Sequence, residues 1–319
     1  MKLLVTGGAG FIGFHLCNKL LKRGDTVVCV DNINPYYDVE LKKRRINLLK
    51  KYENFRFYKV DISDYKSMKE IFKNANFNTV VNLAAQAGVR HSISHPFEYE
   101  KSNNLGFLTI LELIKKYDIK NLVYASSSSV YGGNREIPFV ETALLNSPIS
   151  LYAATKQTNE LYAHVYHHLF NINTIGLRFF TVYGSWGRPD MATMLFTKSI
   201  LNNDEIKVFN NGDMLRDFTH VSDIVDGIIK SIKFQKGYEI FNLGNNNPIS
   251  LTDFISTLEK IIGKKSKKVN YPLQPGDLKI TYANIDKAKK FLQFDPKTSL
   301  DDGLKEFYEW YSDYYNINH

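Results

Sequence analysis

A chain of 319 residues with 44% hydrophobic content exceeds one typical domain and can bury a large core, so a big domain with a smaller companion is expected. No apolar run approaches the ~20 residues that span a bilayer. Two cysteines, Cys17 and Cys29, exclude a disulfide framework, and a strand starting at Lys2 leaves no room for a signal peptide, so the cytoplasm is the expected compartment.

The first predicted strand, Lys2–Val5, runs into Thr6-Gly7-Gly8-Ala9-Gly10-Phe11-Ile12-Gly13, which opens a helix reaching about Arg23. The spacing G-x-x-G-x-x-G between a strand and a helix is a variant of the dinucleotide-binding fingerprint. Gly7 is expected to make the turn, Gly10 to let the backbone approach a pyrophosphate, and Gly13 to let the helix lie close to the sheet. The helix N-terminus then faces the diphosphate with free N–H groups and a positive dipole end. Strand Thr26–Val30 ends at Asp31, eighteen residues after Gly13. A carboxylate there accepts hydrogen bonds from both hydroxyls of an adenosine ribose and repels a 2′-phosphate, which selects NAD over NADP.

The net charge of +8 raises the question of nucleic acid. The basic runs Lys42-Lys43-Arg44-Arg45, Lys50-Lys51 and Lys264-Lys265 with Lys267-Lys268 are short and scattered, and no nucleic-acid module accompanies them. They read as solvated faces.

Further strands are predicted at Phe55–Val60, Thr79–Leu83, Asn121–Ala125, Thr174–Phe179 and Tyr238–Leu243, and helices at Tyr65–Asn74, Pro96–Tyr117, Leu151–Phe170 and Asp223–Lys233. This alternation predicts an α/β protein with a Rossmann-type doubly wound parallel sheet and right-handed crossovers. Such sheets bind ligands at the C-terminal ends of their strands, where this chain carries Asp61-Ile62, Ala84-Ala85-Gln86 and Ser126–Ser129. The first pair is expected beside an adenine, the second group beside the pyrophosphate and ribose. Beyond Phe179 the pattern breaks into turn-rich segments at 184–189, 210–213, 244–248 and 271–277. We therefore expect a dinucleotide domain of residues 1–179 plus about 217–245, and a smaller, discontinuous C-terminal substrate-binding domain of about 180–216 plus 246–319. His167-His168 is not expected to hold a metal, because adjacent helical residues point apart and no further ligand set surrounds them.

The segment Ser126-Ser127-Ser128-Ser129-Val130-Tyr131-Gly132 is followed by Tyr152-Ala-Ala-Thr-Lys156. Four residues of spacing put the phenol and the ammonium on one helix face, one turn apart. A phenol titrates near ~10 and is a poor base at neutral pH unless a nearby cation stabilises its anion. Lys156 is placed to do that, and Ser127 to hold a sugar hydroxyl whose proton Tyr152 takes.

With Asp31–Asp38, Asn82–Arg90, Tyr124–Gly132, Leu177–Met191, Arg216–Thr219 and Gln274–Asp277, the chain resembles the extended short-chain dehydrogenase/reductase family over essentially its whole length. Within that family it is similar to the NAD-dependent nucleotide-sugar epimerases, most of all the bacterial UDP-glucuronate 4-epimerases. The resemblance implies an isomerase with tightly held NAD that converts UDP-glucuronate to UDP-galacturonate through a 4-keto intermediate. UDP-galactose, a UDP-N-acetylhexosamine or a UDP-pentose are the alternative substrates, and a non-catalytic NAD-binding scaffold is the reading outside enzymes. It implies a catalytic set of Ser127, Tyr152 and Lys156. Cofactor contacts are implied for Gly7, Gly10, Phe11, Ile12, Gly13, Asp31, Asn32, Asp61, Ile62, Leu83, Ala84, Ala85, Gln86 and Asn103, as well as Tyr152 and Lys156. Substrate contacts are implied for Ser127, Ser128, Ser129, Thr181, Arg188, Phe209, Arg216 and Asp277, with Arg216 on the diphosphate, Phe209 near the uracil and Asp277 on the uridine ribose. No metal, nucleic acid or membrane partner is expected, and helices Pro96–Tyr117 and Leu151–Phe170 suggest a homodimer by family analogy.

Related dehydratases carry an Asp-Glu pair before Val-Tyr-Gly, and related decarboxylases keep a Glu there. Ser128-Ser129 offers no carboxyl group for either reaction, so epimerisation by hydride and proton transfer is what remains. A glucuronate oxidised at C4 is a β-keto acid, prone to lose carbon dioxide when its C5–carboxylate bond aligns with the carbonyl π system. Its epimerase has to fix that carboxylate in an unproductive orientation, and a guanidinium fork binds both oxygens. By resemblance, Arg188 with Thr181, Ser128 and Ser129 forms the clamp. On the residues alone, an arginine before Pro189 better suits a loop cap or a pair with Asp190, since surface loops often hold arginines.

Overall fold

Strand β1 (Lys2–Thr6) has all but its first residue buried and lies inside a parallel sheet, where unbroken apolar runs belong because helices cover both faces. The computed structural model describes residues 1–272 and 278–317. It continues with α1 (Phe11–Lys22), β2 (Thr26–Asp31), α2 (Val39–Leu49), β3 (Phe55–Lys59), α3 (Tyr65–Lys73), β4 (Thr79–Asn82) and the short helices α4 (His91–Ser94) and α5 (Pro96–Tyr99). A π-helical turn, Glu100–Leu105, leads to α6 (Gly106–Lys116), followed by β5 (Asn121–Ser127), α7 (Leu151–Phe170) and β6 (Asn173–Phe179). The remainder comprises β7 (Thr181–Tyr183), α8 (Ala192–Asn202), β8 (Glu205–Phe209), β9 (Leu215–His220), α9 (Val221–Phe234) and β10 (Tyr238–Leu243). After these come β11 (Pro248–Ser250), α10 (Leu251–Ile262), β12 (Lys267–Tyr271), β13 (Ile280–Thr281), α11 (Asp286–Leu292) and α12 (Leu300–Tyr315).

The seven-stranded sheet runs β10-β6-β5-β4-β1-β2-β3, and its pairs are parallel, the doubly wound arrangement expected. Strand order reverses between β1 and β4, so a crevice opens beyond their C-terminal ends. One apolar cluster, with Phe14, Leu16, Ile224, Ile228 and Phe241, packs α1 and α9 on one face. Another, with Phe72, Phe107, Ile110 and Leu122, packs α3 and α6 on the other. A third core of Tyr183, Ile200, Val208, Phe218, Phe254 and Leu304 joins α8, α10 and α12 to two small sheets, β11-β9-β13 with β7, and β12-β8. No helix among the described residues is long and apolar enough to cross a membrane.

Three expectations are corrected. The helix read as Pro96–Tyr117 is broken by the π-helical turn. There Asn103 ties its amide to both backbone groups of Gln86, and Gly106 lies so near Ile62 that a Cβ would come within 2.7 Å of it. The run Lys42–Arg45 is not a solvated face: Lys43 and Arg44 are exposed, but Lys42 and Arg45 are buried on the inner side of α2. The region beyond Phe179 is more regular than its turns suggested, and α10 and α12 announce themselves by Ser-x-x-Asp starts. Ser250 accepts from the Asp253 N–H and Ser299 from the Asp302 N–H, each the half of a capping box that satisfies an orphan helix donor.

Candidate active site

The loop between β1 and α1 tolerates glycine alone at two points. Gly7 has φ 74°, and a Cβ there would lie 2.6 Å from the Ala84 nitrogen; one on Gly13 would lie 2.1 Å from the Gly7 carbonyl oxygen. No side chain caps α1, so its positive end is left to an anion in the crevice. At the end of β2, Asp31 accepts hydrogen bonds from the Ala9 N–H (3.1 Å) and the Ile33 N–H (2.8 Å). Burial raises the Asp31 pKa, against the pull of those N–H groups and of Lys42. Asn32 donates to Asp61 at 3.3 Å, and Asp61 pairs with Lys101 at 3.3 Å. A backbone cradle without side chains, followed by a carboxylate acceptor one strand away, fits a dinucleotide.

A cleft of about 450 Å³ follows the strand ends. Gly7, Gly10, Phe11, Ile12 and Gly13 line it, with Asp31, Asn32, Asp61 and Ile62 on the β2–β3 side. Leu83, Ala84, Ala85 and Gln86 follow β4, and Ser127, Ser128, Ser129, Tyr152, Lys156, Thr181 and Arg188 form the far wall.

Helix α7 starts where Ser150 accepts from the Ala153 N–H at 3.1 Å, which puts Tyr152 in the first turn, half-buried. Lys156 is buried one turn on and donates to the Ala125 carbonyl at 2.7 Å. Burial lowers its pKa to about 8, opposed by Glu160 a further turn along. Glu160 is itself held by Arg178 (2.9 and 2.8 Å) and by the Ser126 hydroxyl (2.5 Å). Burial raises the Tyr152 phenol above its ordinary value, against its hydrogen bond with Ser127 and the charge of Arg188. The ammonium lies 6.0 Å from the Tyr152 ring centre. The Ala125 carbonyl accepts one hydrogen of the ammonium, and the Ser127 hydrogen bond and the charge of Arg188 draw the phenol down against burial. Ser127 also accepts from the Ser129 N–H at 3.1 Å, which turns the backbone after β5.

Arg188 pairs with Asp190 at 3.4 Å and donates to the Met191 sulfur at 3.3 Å while lining the cleft, so loop pairing and cleft position coexist. Two side chains, the buried Arg45 and the half-buried His15, hold its loop. Arg45 donates to the Ala9 carbonyl (2.8 Å), the Tyr37 hydroxyl (2.8 Å), and the Trp186 and Gly187 carbonyls (2.5 and 3.3 Å). Among the described residues no carboxylate pairs with it. His15 Nε2 meets the Ser185 carbonyl at 2.8 Å, and burial lowers the His15 pKa to about 4, which keeps the ring neutral and donating.

Four anticipated contacts do not line the cleft or cannot be placed. Asn103 is buried behind Gln86, and props it. Phe209 sits against Tyr271 and 5.3 Å from the Arg90 guanidinium. Arg216 donates to the Leu215 and Lys279 carbonyls at 3.0 and 3.1 Å. Asp277 lies outside the described residues. Conversely, Tyr36, Lys42 and Ser102 line the cleft unanticipated. Tyr36 donates to Asp190 at 3.1 Å and Lys42 to the Asn34 carbonyl at 2.8 Å. Both follow the Asp31 strand end, where two tyrosines and a lysine were the available signal.

Residues 3–244 match the model of the NAD dependent epimerase/dehydratase family. The chain is 47% identical over 308 residues to a UDP-glucuronate 4-epimerase of Thermodesulfobacterium geofontis, covering 96% of this chain and 95% of that protein. Its structure resembles that of a UDP-glucuronic acid 4-epimerase from Bacillus cereus in complex with UDP-glucuronic acid and NAD, with TM-score 0.93, 37% identity, and 99% and 100% of the two chains covered. A UDP-glucose 4-epimerase from Thermotoga maritima with UDP-glucose matches with TM-score 0.91, 32% identity, and 99% and 100% coverage. The glycine cradle, the strand-end carboxylate and the serine–tyrosine–lysine wall thus stand in a chain that belongs to the NAD-dependent epimerase/dehydratase family.

Proposed function

We propose that this protein is an NAD-dependent 4-epimerase that interconverts UDP-glucuronate and UDP-galacturonate. The observation that carries the substrate is Arg188, whose guanidinium lines the same cleft as Tyr152 and Ser127, within a wall that also presents Ser128, Ser129 and Thr181. NAD, when bound, supplies a hydride acceptor that takes the C4 hydrogen and returns it. Tyr152 takes the O4 proton as phenolate and gives it back, and Ser127 orients that hydroxyl. Lys156, fixed on the Ala125 carbonyl, keeps a positive charge one turn below the phenol. Arg188 holds the C5 carboxylate by both oxygens, so the β-keto acid stays out of the alignment that expels carbon dioxide. Gly7, Gly10, Gly13 and Asp31 hold the dinucleotide, and the smaller unit of about 180–216 and 246–319 takes the uridine end.

Purified protein with UDP-glucuronate should form UDP-galacturonate, followed by NMR, with UDP-glucose and UDP-N-acetylglucosamine turned over far more slowly. Tyr152→Phe should lower the rate by ~10²–10⁴-fold. Preference for UDP-glucose overturns the substrate, and absence of turnover on every UDP-sugar revives a binding scaffold. The two buried free cysteines support a cytoplasmic setting. An apolar stripe left exposed on α7 supports a homodimer.

A further inference from the structure

His91, His95 and Glu98 bring three metal-ligand atoms within 4.8 Å of one another, and none of the three lines the main cleft. The two histidines are four residues apart, the spacing that puts side chains on one face of a helical turn. Their rings stack 4.0 Å apart and 13° from parallel; because each imidazole lone pair lies in its own ring plane, a shared cation draws one ring out of the stack by rotation about its side-chain torsions. Backbone bonds fix the arrangement: the His95 N–H donates to the His91 carbonyl at 3.0 Å, and the Glu98 N–H to the His95 carbonyl at 3.2 Å. Glu98 Oε2 already lies 3.2 Å from His91 Nε2. The Ser94 hydroxyl engages His95 Nδ1 at 2.8 Å, which leaves the other ring nitrogen for a ligand, as second-sphere partners of metal-bound imidazoles do. The Tyr36 ring packs 4.7 Å from His91 and sets the limit of its movement.

We propose that His91, His95 and Glu98 form a binding site for a borderline divalent transition-metal cation, zinc foremost, with water completing the coordination. Two imidazoles and one carboxylate are a zinc donor set, whereas calcium and magnesium require more oxygen ligands. His95 and Glu98 are exposed, and a side pocket of about 360 Å³ reaches His91 and Glu98. The ammonium in that pocket, Lys101, is paired with Asp61, so its charge is compensated. The site sits on the rim of the cleft, since Tyr36 joins His91 on one side to Asp190 on the other.

Full-length protein carrying its NAD is titrated with zinc ion in competition with a chromophoric chelator, beside His95→Ala, Glu98→Gln and a control, His168→Ala. Wild type and control should each take up one zinc ion per chain at this site, and either cluster substitution should weaken uptake by about tenfold or more. Both cluster positions are exposed, so the variants should keep the wild-type melting temperature, which is measured alongside. Cobalt ion should give the intense visible absorption of a four-coordinate centre in wild type and lose it in the variants. Equal zinc affinity across all four proteins, or no uptake by wild type, overturns the site and leaves His91–Glu98 an ordinary ion pair.

Discussion

Arg188 serves two ends with one charge in the proposed reaction: it lines the cleft with Ser128, Ser129 and Thr181, and it draws down the pKa of a phenol that burial raises. Replacing it should therefore hurt chemistry more than folding. Arg188→Ala is expected to turn over UDP-glucuronate about 10- to 100-fold more slowly, the worth of a charged hydrogen-bonded pair, while NAD stays bound. A UDP-4-ketopentose should appear as carbon dioxide is lost from the unclamped keto acid, seen by proton NMR. An unchanged rate without that product removes the clamp. The common position of the glycine loop, Asp31, Ser127, Tyr152 and Lys156 along one cleft was legible in the sequence because strand and helix periodicity convert spacing directly into position. Arg45 was not. Its guanidinium is anchored on the Trp186 carbonyl, 141 residues along the chain, and no local pattern separates such an arginine from the exposed Arg44 beside it.

At the scale of elements, the strands of the large sheet were legible and the helices of the smaller unit less so, because their apolar faces are interrupted and their boundaries lie in side-chain caps. The end of α10 shows what else stabilises them. Glu259 lies near the negative end of the helix dipole, an unfavourable place for an acid. It accepts from the Ser266 N–H and hydroxyl at 3.0 and 2.5 Å and pairs with Lys268 and Lys265 at 3.0 and 3.3 Å, which fastens α10 to β12. Burial pushes its pKa up, but the Ser266 bonds and the lysines outweigh burial and bring it from 4.5 to about 2. A carboxyl depressed by folding contributes stability that is fully present above its unfolded pKa and is lost as pH falls through the folded value. Glu259→Gln should therefore lower the melting temperature at neutral pH, with the gap to wild type closing between pH 4.5 and about 2. Melting curves followed by circular dichroism across that range test it, and a gap independent of pH refutes it.

On the scale of the whole molecule, α7 is apolar on two sides. Its inner side, with Ala153 and Ala163, packs on the sheet, and the outer side carries Leu161, Val165 and Leu169 at one-turn spacing with exposures of 67%, 45% and 61%. Leu105, in the π-helical turn, is also half exposed. An apolar stripe left open on a helix surface marks a face suited to a partner. In the proposed homodimer a second copy related by a two-fold axis would cover it with the same stripe, because an isologous contact is self-complementary. Such a pairing sets the outer side of α7 against its counterpart and leaves Tyr152 and Lys156, on the inner side, facing the cleft. Leu161→Glu combined with Leu169→Glu places like charges opposite one another across that axis without touching the inner side. Light scattering coupled to size exclusion should then find wild type at twice the 36.7 kDa chain mass and the double variant at one, with unchanged circular dichroism. A wild type that elutes as a single chain removes the dimer, and the exposed leucines then need another partner.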